Sequence, residues 1–317
     1  MKNFFFCAAA AIVALASCSK TQVVYNDAPQ EIGFKAVTGA ITKAVQPTEK
    51  DGFNQDMGVI AYNTDGLSEY FANAQFVKTT ASVTTKDPET GAESTNSVTT
   101  WNGKTAQYWP IDSSLDFFVY SPYQASGVTP TNEANLKTLQ VVVADNSTKQ
   151  DDYLYSDKYI TGKSKTPENI AVDFDHALAY VTVKFSGADV ITLSNAQLNE
   201  TYQSGTYTVT YGNTTSVAWS SQGTSSDLVL NAGALTTDYT TSWLVVPEDN
   251  KAANNTITFD YTIAGMTGDV ISTSIPLSET WAAGTHYTYN VSIGTNEIKF
   301  TPSVNDWTTP NDVNKTL

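Results

Sequence analysis

Leu115-Asp116-Phe117-Phe118-Val119-Tyr120-Ser121-Pro122-Tyr123 carries the clearest fold signal in the chain. It is strongly apolar, rich in aromatic residues, and bounded by Pro110 and Pro122, which cannot donate to a ladder. Such a run suits the centre of a sandwich, buried on its Phe117 and Val119 side.

Working outward, strand signals recur on both sides. Upstream, Glu31 to Val37 alternates with Ile32, Phe34 and Ala36 on one face, and Met57 to Tyr62 runs into the turn Asn63-Thr64-Asp65-Gly66. A short helix is expected near Ser68 to Phe76. The polar stretch from Lys78 to Asn102, with Asp87-Pro88 and Thr90-Gly91, reads as a long hairpin or exposed loop. Downstream, Leu139 to Ala144 is a further buried strand. After the polar stretch Thr161 to Asn169 the chain restarts at Ile170 to Phe174 and Tyr180 to Phe185, so a domain boundary is placed near residue 170. Then come Ile191 to Leu193, Tyr207 to Tyr211, Leu228 to Leu230, Ser242 to Val246, Ile257 to Ile263 and Ile271 to Leu277, with turn residues between them. Short strands at this spacing predict an all-β fold of two tandem β-sandwich domains.

Composition agrees and narrows the function. Charged residues make up only 15 % of 317 residues, with Thr, Ser, Asn, Tyr and Val abundant. The net charge is −15 and there is no arginine. Phosphate recognition needs clustered Lys and Arg, so nucleic acid and anionic lipid are excluded as partners. No cofactor is called for.

The N-terminus is read separately. Lys2, the apolar stretch Phe4 to Ala16 and the small residues before Cys18 form a signal peptide over residues 1–17. It is shorter than the about 20 apolar residues a membrane span requires. Its ending, Leu15-Ala16-Ser17-Cys18, resembles the lipobox of bacterial lipoproteins, which implies a lipidated Cys18 and anchorage in the outer membrane. Cys7 lies inside the signal, so the mature chain would hold no disulfide.

With these residues in hand, the chain resembles the fimbrillins of Bacteroidetes, the subunits of lipoprotein-derived (type V) pili. The resemblance rests on the lipobox, on Glu31-Ile32-Gly33-Phe34 and Thr38 to Ala44, on Phe174-Asp175-His176-Ala177-Leu178, on Trp281 to Tyr289, and on Val304-Asn305-Asp306-Trp307. It implies two transthyretin-like sandwiches: a lipidated pro-segment with the first strand at 18–43, an N-terminal domain at 44–170 and a C-terminal domain at 171–317. It also implies assembly by strand exchange. A processing protease would cut Lys43-Ala44, the strand carrying Ile32, Phe34 and Ala36 would leave, and a strand from another pilus subunit would replace it. Val291, Ile293, Ile298 and Phe300 are the candidate donor residues. The expected location is the outer membrane and cell surface, in a fimbrium serving adhesion; a non-polymerising pilus anchor is the alternative within the family.

An enzyme reading is disfavoured, since His176 and His286 are far apart and no nucleophile elbow accompanies either. Metal binding is likewise not expected: no paired histidine spacing exists, and Asp151 and Asp152 would point to opposite faces of a strand. A glycan-binding lipoprotein is the alternative from a different class, with Trp101 and Trp109 as its expected exposed pair and Trp243 and Trp281 packed between sheets.

Overall fold

The computed structural model describes residues 29–36 and 54–307, apart from residues 66, 88, 112, 163–168, 189, 221, 224, 231–232, 235–238, 249, 267–268 and 296. Cys18, Lys43 and Ala44 lie outside the described residues. Five strands open the first sheet: β1 (Gly33–Ala36), β2 (Met57–Asn63), β3 (Glu69–Lys86), β4 (Glu93–Gly103) and β5 (Leu115–Ser121). The chain leaves it for β6 (Val128–Asn132) and β7 (Lys137–Val143), then returns with β8 (Leu154–Ser156), β9 (Ile160–Gly162), β10 (Ile170–Val172) and β11 (Phe174–His176). The order is β10-β1-β4-β3-β2-β5-β8-β11, with β9 also on β5. Only Asp173 separates β10 from β11 in the chain, so the two ends of that order meet and the sheet curls back on itself.

The quoted run forms β5, and every one of its residues from Leu115 to Ser121 is buried. Its two faces serve two cores. Phe117 and Val119 point with Ile32, Phe34, Val59 and Phe76 into the space the curled sheet encloses. Phe118 and Tyr120 point outward with Ile60 and Tyr62, and that face needs a cover.

The second half begins with β12 (Ala179–Gly187) and β13 (Ile191–Tyr202), continues through β14 (Gly205–Tyr211), β15 (Ser216–Ser220), β16 (Ser225–Leu230) and β17 (Tyr239–Val245), and passes the single turn α1 (Asn250–Ala253). It ends with β18 (Thr256–Ile263), β19 (Ile271–Pro276), β20 (Thr285–Ile293) and β21 (Ile298–Asp306). Sheets β17-β12-β20-β21 and β16-β13-β18-β19 enclose a third core around Val181, Phe185, Leu198, Phe259, Trp281 and Tyr289. The architecture is thus all-β and built of packed sheets, as expected.

Strand pairing crosses the expected boundary at 170/171. β14, which follows it, pairs along its length with β7, which precedes it, from Gly205↔Val143 to Tyr211↔Lys137. The sheet β15-β14-β7-β6 is the cover that β2 and β5 need: Tyr207, Val209 and Tyr211 alternate inward against Phe118 and Tyr120. The β6–β7 hairpin alone offers two strands, too few to bury that aromatic surface, and residues 205–220 supply the other two. Contiguity in sequence therefore does not divide this fold into the segments 44–170 and 171–317.

Of two smaller expectations, one changes and one, the long hairpin, is met. Residues 69–76 are strand, not helix: β3 pairs from Met57↔Phe76 to Tyr62↔Glu69 with the buried β2, whose apolar face outweighs local helix propensity. The polar stretch from Lys78 is the long β3–β4 ribbon, whose turn is tied by Asp87 Oδ1 accepting from the N–H groups of Glu89 and Thr90, both at 2.8 Å.

A buried carboxyl marks the α1 turn. Glu248 is 7 % exposed; its Oε1 accepts from Asn255 Nδ2 at 3.3 Å and from the Tyr202 N–H at 3.4 Å. Burial pushes its pKa up from 4.5 to about 7 despite those two bonds. Between the ordinary glutamate value and about 7 the folded state holds a proton that the unfolded chain has lost, so stability falls as pH rises through that window. Glu248→Gln should remove this slope and raise stability at pH 8 by at most roughly 3 kcal/mol, with little change at pH 4. Urea unfolding at the two pH values measures it, and an unchanged slope would refute the assignment.

Candidate functional site

β1 is a four-residue strand held on both sides. It runs parallel to β10, from Phe34↔Ile170 to Ala36↔Val172, and antiparallel to β4 at Gly33↔Asn102 and Phe34↔Trp101. The residues before it are tied down too: Trp109 N–H donates to Gln30 O at 2.8 Å and Ile32 N–H to Gln107 O at 2.7 Å. Ile32 and Phe34 are fully buried, and Ala36 packs partly against the same core. Phe34 meets Phe76 and Phe117 edge-on, at centroid distances of 5.1 and 5.4 Å. The three residues expected to leave together therefore do share one face and one core. Without β1, a groove would open between β4 and β10, with two unpaired backbone edges and two large apolar pockets.

The four expected donor residues separate. Val291 and Ile293 are core residues of β20, which lies between β12 and β21 and is paired on both sides. Removing β20 would tear out the middle of its sheet, a position that suits a structural role for these two. Ile298 and Phe300 sit on β21, an edge strand, half-buried on the third core, with Phe300 stacked on Tyr289 at 5.6 Å. Beyond Phe300 the strand is exposed through Asp306. Its end is pinned by Trp307, whose N–H donates to Gly284 O at 3.0 Å and whose ring stacks on His176 at 3.5 Å and on Tyr180 at 5.3 Å.

That stack accounts for His176. It is 4 % exposed, with Nδ1 2.9 Å from Asp152 Oδ2, where the second core meets the C-terminal strands. His286 Nε2 lies 2.9 Å from Thr182 Oγ1, which also bonds Ser242 Oγ at 2.8 Å, a hydroxyl ladder across three adjacent strands. Burial, and secondarily Lys184, lowers the His286 pKa. The Thr182 hydroxyl is engaged by two partners and the residue is 4 % exposed, which suits cross-strand structure better than attack on a substrate. Among the described residues no group of three or more His, Cys, Asp or Glu could hold a metal ion.

The aromatic pair expected at the surface is inside. Trp101 is 3 % exposed, donating from Nε1 to Gln55 O at 2.9 Å, and Trp109 is 7 % exposed, edge-on to Phe117 at 5.8 Å. Alternation along β4 turns Trp101 into the curled sheet, and the backbone bond from Trp109 N–H to Gln30 O holds the segment that carries the second ring beside it, where aromatic area is best buried. Trp281 is fully buried, and Trp243 packs partly against the same third core.

A family model described as fimbrillin-like matches residues 21–307. The chain belongs to the fimbrillin-like family. Its members are structural subunits, not enzymes. A protein of Bacteroides uniformis provisionally assigned as fimbrium subunit Fim1C is 26 % identical over 331 residues, covering 98 % of this chain and 96 % of its own. A crystal structure of a provisionally assigned cell adhesion protein from Bacteroides ovatus matches with a TM-score of 0.54 and 18 % identity, over 90 % of this chain and 99 % of that one. A second, from Bacteroides uniformis, has a TM-score of 0.51 and 18 % identity, over 87 % and 99 %. These likenesses extend the fold across both halves of this fimbrillin-like chain. Among the described residues no helix is long and apolar enough to cross a membrane, which leaves β-barrel spans unaddressed.

Proposed function

We propose that this fimbrillin-like chain is a structural subunit of a cell-surface pilus, made as a lipoprotein on Cys18 and assembled by strand exchange in the service of adhesion. A protease cuts Lys43-Ala44, β1 leaves with the lipid anchor, and a strand from a neighbouring subunit enters between β4 and β10. β21 is the strand this subunit offers in turn, through Ile298 and Phe300. The observation that carries this reading is the burial of β1 and the residue before it: Ile32 and Phe34 are fully buried in the core of the curled sheet, yet the strand is four residues long. Once the chain is cut downstream of it, only noncovalent contacts retain it. The burial of Trp101 and Trp109 removes the platform on which the glycan-binding alternative rested.

The test is Lys43→Ala in the native cell. Wild-type surface material should start at Ala44 and run as high-mass ladders that collapse on boiling. The variant should keep its acylated Cys18 and run as a monomer. Ladders of unchanged size from Lys43→Ala would rule out this processing site.

A further inference from the structure

The groove holding β1 has a narrow point at its middle position. Gly33 is buried between Ile32 and Phe34 on the opposite face of the strand, and two carboxamides close over it. A Cβ added there would fall inside the van der Waals envelope of the Asn169 carboxamide, the far end of a half-buried side chain that must swing aside to admit it, and 3.0 Å from Asn102 Oδ1. These asparagines flank the strand from either side: Asn102 is the β4 partner of Gly33, and Asn169 immediately precedes β10, whose Ile170 pairs with Phe34. The pockets for Ile32 and Phe34 accept large side chains, while the position between them accepts none without displacing one asparagine and crowding the other.

Ile298-Lys299-Phe300 repeats the spacing of Ile32-Gly33-Phe34. Laid into the groove in that register, Ile298 and Phe300 take the two pockets, but Lys299 falls at the closed position. Two residues on, Pro302 falls where Ala36 pairs with Val172, and it brings no N–H to the ladder. In its own sheet β21 meets neither constraint, since Lys299 is exposed there and bonded to Glu297 Oε1 at 3.0 Å.

We infer that the β1 groove is selective for strands of the pattern large aliphatic, glycine, aromatic, and that it rejects β21 of a second copy of this chain. The subunit that fills the groove is then a different chain from the one that lines it, and Asn169 and Asn102 are the residues that enforce the choice. This rests on the strand-exchange reading above.

The test uses the full chain with a site-specific protease sequence replacing residues 40–46, nicked and mixed with labelled peptides. One peptide carries residues 29–37, one carries 295–303, and a third is the latter with Lys299→Gly and Pro302→Ala. The first and third should exchange in. The unmodified β21 peptide should bind about tenfold more weakly or worse, and Asn169→Gly in the acceptor should narrow the gap. Equal binding of all three overturns the selectivity. If no peptide exchanges, strand exchange itself fails, and selectivity is decided in the uncut chain. There Gly33→Lys should lower the melting temperature and Asn169→Gly should recover part of the loss; an unchanged melting temperature for Gly33→Lys overturns the inference.

Discussion

Trp281→Ala is expected to destabilise the protein by about 3–5 kcal/mol, the range for deleting a buried large aromatic side chain. Trp281 is 1 % exposed in the third core and its Nε1 donates to Tyr289 Oη at 2.9 Å. Its own backbone N–H donates to Glu248 O at 2.8 Å, which pins the segment between β19 and β20 to the α1 turn. Alanine would leave a cavity among residues of both facing sheets and strip the tyrosine hydroxyl of this donor. Trp281→Phe largely separates the two effects, since it keeps most of the volume while losing the hydrogen bond and part of the ring, with an expected cost nearer about 1–2 kcal/mol. Chemical unfolding of the two variants measures both, and a loss below about 1 kcal/mol for alanine would mean that the core does not depend on this ring.

Phe34→Ala should have an effect of similar size, about 3–5 kcal/mol, but confined in space. Phe34 makes edge contacts with both Phe76 and Phe117 and, with Ile32 just before the strand, is one of two fully buried anchors of β1. With it gone, Ile32 is the one large side chain left to hold β1 beside its backbone pairing and the partly buried Ala36, and burial of one such side chain contributes about 1.5–3 kcal/mol. Amide exchange should therefore rise in β1, in β10 and at Trp101 and Asn102 of β4, while β12 and β20 keep their protection. Lys35→Ala, at an exposed position of the same strand, is the control and should stay within about 0.5 kcal/mol of wild type. Uniform loss of protection across all sheets would show that β1 is not an independently removable element.

Most of the strands were legible because their signal is local. The β5 run, the inward face of β1 and the buried β2 each follow from apolar residues at a period of two with turn residues at the ends. The ordered motifs from Glu31 to Trp307 identified the family, since they span the whole length and not one site. What failed to read out depends on partners distant in sequence. Trp101 and Trp109 flank a polar turn and look exposed in one dimension, but the sheet curls and places them inside. Val291 and Ile293 alternate as any edge strand would, and nothing in their own residues reveals that β12 and β21 lie on either side. Gly33 carried no signal beyond being a glycine between two large residues; its meaning lies in Asn102 and Asn169, about 70 and 136 positions away.

Strand content, an acidic arginine-free composition and the family follow from side-chain chemistry and spacing along one chain. The places of β14 and β15, the identity of the edge strands and the asparagines over the β1 groove emerge from the folded sheets alone. Those are matters of long-range pairing: a strand's ladder partners and the side chains covering it are chosen by which apolar face still needs burial, and that need exists only once the sheets have come together.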